Sequence, residues 1–169
     1  GTIGLYLYFV ILQEIPLATA STLIYLTPFF TSIVGIIILK EKMSIYQWLF
    51  LAIAFLGIIL IQGFDPRVSL ESVIMGASGS LCAAFAYNII RYLKDKEDSL
   101  VLMIYFPMIA CPIGAFISYF NWVPPSFYEY VILILIGVFT QFAQYFMTRS
   151  YQSAEVSKVS VISYIEIIF

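Results

Sequence analysis

Apolar residues in this chain come in long runs, and the polar and charged residues gather in short gaps between them. Neither the alternation of a half-buried strand nor the narrow stripe of a water-soluble helix describes such runs. They approach the roughly 20 residues needed to cross a bilayer as a helix. The gaps divide the chain into spans at about 1–13, 18–39, 45–62, 71–93, 99–120, 128–148 and 156–169. Ser44 with Gln47, and Ser126 with Glu129, have capping-box spacing and set the starts of the third and sixth spans. Gly76, Ser80 and Ala84 recur every four residues of the fourth span, a small-residue stripe that lets membrane helices approach closely. Prolines lie within two spans, Pro28 in the second and Pro107 with Pro112 in the fifth. They predict bends, because proline withholds an N–H from the helix and neighbours must satisfy the freed carbonyl.

The charges in the gaps alternate. Lys40, Lys42, Arg91, Lys94, Lys96, Arg149 and Lys158 fall on one side of the membrane and Arg67 alone on the other. By the positive-inside rule, the loops at 40–44, 91–99 and 149–158 are expected to be cytoplasmic. Trp48 and Trp122 stand at span ends, as interfacial anchors should. Glu41, between two lysines, reads as local charge balance, and Glu14, beside Pro16, as a solvated loop acid. Arg91 reads as an interfacial anchor, with a reach into a cavity as the alternative.

Composition narrows the class. Hydrophobic residues make up 62% and charged residues 11% of the chain, with a mean hydropathy of +0.99, more apolar surface than 169 residues could bury in water. The fold class is all-α, a polytopic transmembrane helix bundle with membrane lipid as its surroundings. There is no histidine, and Cys82 and Cys111 lie in separate apolar runs where buried packing is expected. That argues against a disulfide framework, a zinc site and a histidine-dependent triad, so no enzyme, cofactor or nucleic-acid partner is expected. The chain opens and closes inside apolar runs, and truncation at both ends is therefore expected.

A faint repeat runs through the sequence. Sliding the stretch around Pro28 by 139 positions lays Gln13, Ser21, Tyr25 and Phe30 on Gln152, Ser160, Tyr164 and Phe169, and sets Glu166 where Thr27 stands. Five crossings separate the two copies, so they point in opposite directions, as in transporters built from inverted repeats. Two units follow, residues 1–63 and 71–169, each part of a five-helix repeat. Glu166 lies about eleven residues into its span, roughly 16 Å deep at 1.5 Å per residue. A carboxylate there costs roughly 2.5 to 3.5 kcal/mol on insertion scales. It would couple protons or recognise a cationic group, or else serve as a protonated structural carboxyl. Gly137, Thr140, Gln141, Gln144 and Thr148 form one helix face expected to look inward, either lining a path or stitching helices together. Ser21, Tyr25, Pro28, Ser32 and Gly35 form a comparable face. Candidate pathway residues are thus Tyr25, Thr27, Pro28, Ser32, Asn88, Gln141, Gln144, Tyr164 and Glu166.

Pro16-Leu17-Ala18-Thr19-Ala20 leading into Leu26-Thr27-Pro28-Phe29-Phe30, and then Leu39-Lys40-Glu41-Lys42, resemble EamA-type transporters of the drug/metabolite transporter superfamily. Ala83-Ala84-Phe85-Ala86-Tyr87-Asn88 with Arg91 resembles the first helix of that family's second repeat. Ser153-Ala154-Glu155-Val156 through Ser163-Tyr164-Ile165-Glu166 resembles the entry to its ninth helix. The resemblance implies ten helices, of which this chain would carry the end of the third to the start of the ninth. It further implies a secondary transporter of a small metabolite, amino acid or drug-like solute in a bacterial inner membrane, with a second copy of the chain as a candidate partner. Ile167 stands where the family commonly has proline. The competing expectation is a seven-span sensor or receptor-like protein that binds a ligand without moving it.

Overall fold

The computed structural model describes residues 1–62, 69–120 and 122–165. All its regular elements are helices: α1 (Thr2–Glu14), α2 (Leu17–Ile24), α3 (Leu26–Leu39), α4 (Ile45–Gln62), α5 (Leu70–Tyr92), α6 (Ser99–Tyr119), α7 (Phe127–Ser153) and α8 (Val156–Ser163). Taken together as Leu17–Leu39, α2 and α3 are long and apolar enough to cross a membrane, and so are α5, α6 and α7.

The starts follow local chemistry. Gln47 Oε1 accepts from the Ser44 N–H (2.7 Å), while Ser44 Oγ accepts from the Gln47 N–H (3.3 Å). Ser126 and Glu129 make the same reciprocal pair ahead of α7. Two further caps were not anticipated: Ser69 accepts from the Ser72 N–H at the start of α5, and Asp98 from the Ser99 N–H at the start of α6.

Proline acts differently in the two spans that contain it. Pro28 has no N–H to offer the Ile24 carbonyl, and the chain turns at Tyr25 (φ −64°, ψ −5°) between α2 and α3. Within α3 the proline occupies the first turn, where a missing N–H breaks no bond. Pro107 and Pro112, by contrast, leave α6 one continuous helix from Ser99 to Tyr119. The sixth span is also longer than its apolar pattern. Arg149 to Ser153 continue α7, with Ser153 Oγ bonded back to the Arg149 carbonyl (2.7 Å), until Ala154 turns extended. α3 ends at Lys40, which takes a left-handed conformation (φ 55°) while the Glu41 N–H reaches back to the Gly35 carbonyl (3.4 Å).

The bundle is built around α5, which packs against α1, α2, α3, α7 and α8. Its small-residue face extends beyond the expected Gly76, Ser80 and Ala84: Ser72 and Asn88 continue the four-residue spacing and all five are buried. At Gly76 the approach is so close that an added Cβ would lie 2.6 Å from Leu23 Cδ1 and 2.8 Å from Leu23 Cβ. Gly4 on α1 makes a similar approach, 2.9 Å from the Gly79 carbonyl oxygen. The periphery is apolar instead. Long stretches of α6 and α7 are exposed, from Ile104 to Phe120 and from Phe127 to Phe142, which suits a lipid solvent. Cys111 lies on this exposed surface and Cys82 is half-buried, so neither has the buried packing expected from residue type.

Close packing at Gly76 yields a sharp contrast. Gly76→Ala should destabilise the full-length protein by about 1–3 kcal/mol, since Leu23 must shift. Gly114→Ala, with nothing within 4 Å of its added Cβ, should be neutral. Unfolding midpoints in detergent micelles compare the two, and equal midpoints would refute the close approach.

Candidate functional site

Breaking a helix inside the membrane leaves carbonyls that lipid cannot satisfy. Side chains from two other helices supply donors around this break. Ser80 Oγ on α5 donates to the Leu23 carbonyl (2.7 Å), and the Tyr164 hydroxyl, just after α8, donates to the Tyr25 carbonyl (3.0 Å). Deeper in α3, Thr31 Oγ1 donates to the Thr27 carbonyl (2.6 Å) and Ser32 Oγ to the Pro28 carbonyl (3.0 Å). Asn88 Nδ2 bridges helices, donating to the Thr31 (3.0 Å) and Ala84 (2.9 Å) carbonyls.

These contacts fix directions. Leu23 meets Ser80 and Thr31 meets Asn88, so α2 and α3 run parallel to α5. A Cβ on Gly35 would lie 3.6 Å from Val156, at one end of α8, and Tyr25 meets Tyr164 at the other. α8 therefore runs antiparallel to α2 and α3.

The two segments share more than direction. α1 ends at Glu14 and α7 at Ser153, and α2 spans Leu17–Ile24 where α8 spans Val156–Ser163, every bound 139 positions apart. Backbone angles follow the same offset. Ile15 (−130°, 157°) matches Ala154 (−129°, 163°), Pro16 (−55°, 142°) matches Glu155 (−58°, 137°), and Tyr25 (−64°, −5°) matches Tyr164 (−64°, −12°).

Of the pathway candidates, Thr27, Pro28, Ser32 and Asn88 are buried at this junction, and Tyr25 and Tyr164 meet there. Gln141 and Gln144 are not brought to it by any such contact. Gly137, Thr140 and Gln141 are exposed, Gln144 is half-buried, and only Thr148 of that face is buried. α7 is anchored on α5 through its second half, where Tyr151 stacks on Tyr87 (4.7 Å, 10°). Its first half, with Leu100 and Met103 of α6, borders a cleft of about 530 Å³ that includes Gly137, Gln141 and Tyr145. Glu166 lies outside the described residues.

A second polar cluster was missed in the sequence. Glu41 Oε1 pairs with Arg91 Nε (3.2 Å), both side chains largely buried at 13% and 14% exposure. Arg91 Nη1 also donates to the Gln152 carbonyl at the end of α7 (2.7 Å), and Glu41 Oε2 accepts from the Val156 N–H at the start of α8 (2.8 Å). Gln152 extends the cluster, accepting from the Ser99 hydroxyl and donating to the Glu97 carbonyl (3.0 Å). Glu41 thus reaches a cation fifty residues away rather than merely balancing its neighbours Lys40 and Lys42. Its one sequence signal was an acid within a basic turn. Glu14 likewise accepts a hydrogen bond, from Ser72 Oγ (3.2 Å).

Comparison with known proteins fits this architecture. Residues 1–63 match the EamA-like transporter family. That match takes in 63 of the 169 residues. The whole chain is 28% identical, over 172 residues, to the pseudopaline exporter of Pseudomonas aeruginosa, covering 60% of that protein. It is 27% identical over 185 residues to solute carrier family 35 member G1 of Mus musculus, again along all of this chain and 50% of that one. The S-adenosylmethionine uptake transporter of Rickettsia prowazekii is 22% identical over 162 residues, 90% of this chain and 52% of its own length. The chain therefore spans only about half to three-fifths of these relatives. No solved structure matches. Two of these relatives are named as transporters, one an exporter and one an uptake transporter, and the third as a solute carrier.

The tyrosine contact is testable. Tyr164→Phe removes the donor to the Tyr25 carbonyl and should cost the full-length protein about 0.6 kcal/mol, and at most about 1.7, the range for hydrogen bonds between membrane helices. Reversible unfolding in mixed micelles would show it. An unchanged midpoint would mean that the contact contributes nothing to stability.

Proposed function

We propose that this chain forms the central part of a secondary transporter that carries a small metabolite, amino acid or drug-like solute by alternating access between two inverted repeats. The observation that carries this reading is the pairing of α2 and α8. They match in length and backbone angles at a 139-residue offset, run antiparallel, and touch where Tyr164 meets the Tyr25 carbonyl. Inverted pairs of interrupted helices are where secondary transporters place substrate near the midplane. In this reading residues 1–63 and 71–169 belong to successive five-helix repeats of a ten-helix protein.

The solute path runs past Tyr25, Thr27, Pro28, Ser32, Asn88 and Tyr164, with Gln141 and Gln144 joining from α7 and Glu166 as the proton-coupling acid. The lysine-rich loops at 40–44, 91–99 and 149–158 face the cytoplasm of a bacterial inner membrane. The relatives' names give both an exporter and an uptake transporter, and pseudopaline and S-adenosylmethionine are therefore the first solutes to try in either direction. The receptor-like alternative is set aside, because these relatives are named as transporters.

Flux in proteoliposomes containing the full-length protein tests the reading. An imposed proton gradient should drive accumulation of a transported solute, and Glu166→Gln should abolish that accumulation while leaving binding measurable. Undiminished gradient-driven flux in the variant would remove Glu166 from coupling, and absence of flux for a solute that binds would overturn transport itself.

A further inference from the structure

The Glu41–Arg91 pair sits at one end of a polar seam. Along that seam α3, α5 and α8 meet turn by turn: Glu41, Arg91 and the Val156 N–H first, then Gly35 with Asn88, then Thr31 with Asn88, and finally Tyr25 with Tyr164. Among the ion pairs of the described residues it alone joins residues 1–63 to residues 71–169, the others lying within the second unit. Its remaining bonds go to backbone at helix ends. Arg91 caps a carbonyl at the C-terminus of α7 and Glu41 an N–H at the N-terminus of α8, each charge placed where the helix dipole favours it.

The seam behind this cluster is closed but not satisfied. Asn88 Oδ1, Thr148 Oγ1, Ser157 Oγ and Ser160 Oγ are all buried without a hydrogen-bond partner. Buried polar atoms in a permanently sealed interface are nearly always paired, because leaving one unpaired forfeits its hydration. Three of these four atoms lie on α5 and α8 along the seam, and unpaired groups there suit surfaces that meet water or solute in another conformation. An ion pair suits the closure of such a seam. Its attraction is strong while the surroundings are dry and collapses once water raises the local dielectric.

We propose that Glu41 and Arg91 form a latch that holds the lysine-rich face closed between the two units, and that the seam along α3, α5 and α8 opens when the pair breaks. The proposal rests on the transport reading for its purpose, but its test needs no solute. Cys82→Ala and Cys111→Ala are made in the full-length protein, and any cysteine it carries outside these 169 residues is replaced as well. A reporter is then introduced by Ser160→Cys, at a position with no exposure and no side-chain hydrogen bond to lose, or by Ala20→Cys, equally buried but packed on α2 against Ile11 and Ile15. A membrane-impermeant maleimide is supplied from the lysine-rich face in inside-out vesicles.

Removing the latch by Glu41→Ala or Arg91→Ala should speed labelling at position 160 by about tenfold and leave position 20 unchanged. The double variant should label position 160 no faster than either single one, because no unpaired charge remains buried. Equal acceleration at both positions would mean general unfolding and overturn the latch, as would unchanged labelling at position 160. Should labelling at position 160 rise as expected while no bound solute is ever moved, the latch would stand and the transport reading would fall.

Discussion

Everything in this bundle depends on how closely other helices can approach α5. Membrane helices gain little by hiding apolar side chains from lipid, so association rests on packing and on hydrogen bonds between backbones and side chains. The buried face from Ser72 through Gly76, Ser80 and Ala84 to Asn88 provides both. Gly76 lets Leu23 come against the helix backbone, and that approach brings Ser80 Oγ within reach of the Leu23 carbonyl. One helical turn at a time, the same face carries Asn88 to the Thr31 carbonyl. Without the small residues, the carbonyls around the Tyr25 turn would lose an essential donor, and the broken helix would be an isolated defect in an apolar medium.

Much of this was legible in advance because it is local. Long apolar runs predict spans, Ser44 with Gln47 predicts a cap, and Pro28 predicts an interruption, each through forces acting within one turn of chain. At a distance of 139 positions, Tyr25 and Tyr164 align in the sequence, and the helix bounds and backbone angles around them coincide at the same offset. What escaped was non-local. Nothing near Glu41 reveals that its partner is Arg91, because that pairing exists only after α3 and α5 lie side by side. The orientation of α7 is non-local for a related reason. Gln141 and Gln144 follow a helical period that shows they share a side, but which way that side turns depends on contacts made farther along α7, such as Tyr151 stacking on Tyr87.

Polar groups are distributed very unevenly through the molecule. Around the Tyr25 turn each described carbonyl contact is short and directed, whereas the outer surfaces of α6 and α7 present phenylalanine, isoleucine and leucine to the surroundings. In water such a surface would drive aggregation; in lipid it matches the solvent. The polar seam between α3, α5 and α8 lies away from these outer surfaces, where its groups meet one another instead of lipid.

Lys40 adds a detail to this division. It adopts a left-handed backbone conformation usually left to glycine, at a strain of order 1–2 kcal/mol. That turn reverses the chain at the end of α3 and folds Glu41 back over the helix terminus, with the Glu41 N–H on the Gly35 carbonyl. The carboxylate's position is consequently set by main-chain geometry before its side chain chooses a rotamer. The backbone share of the conformational entropy that a freely hinged acid would surrender on meeting Arg91 and Val156 is already given up in the turn, so a residue with no part in the ion pair favours its formation.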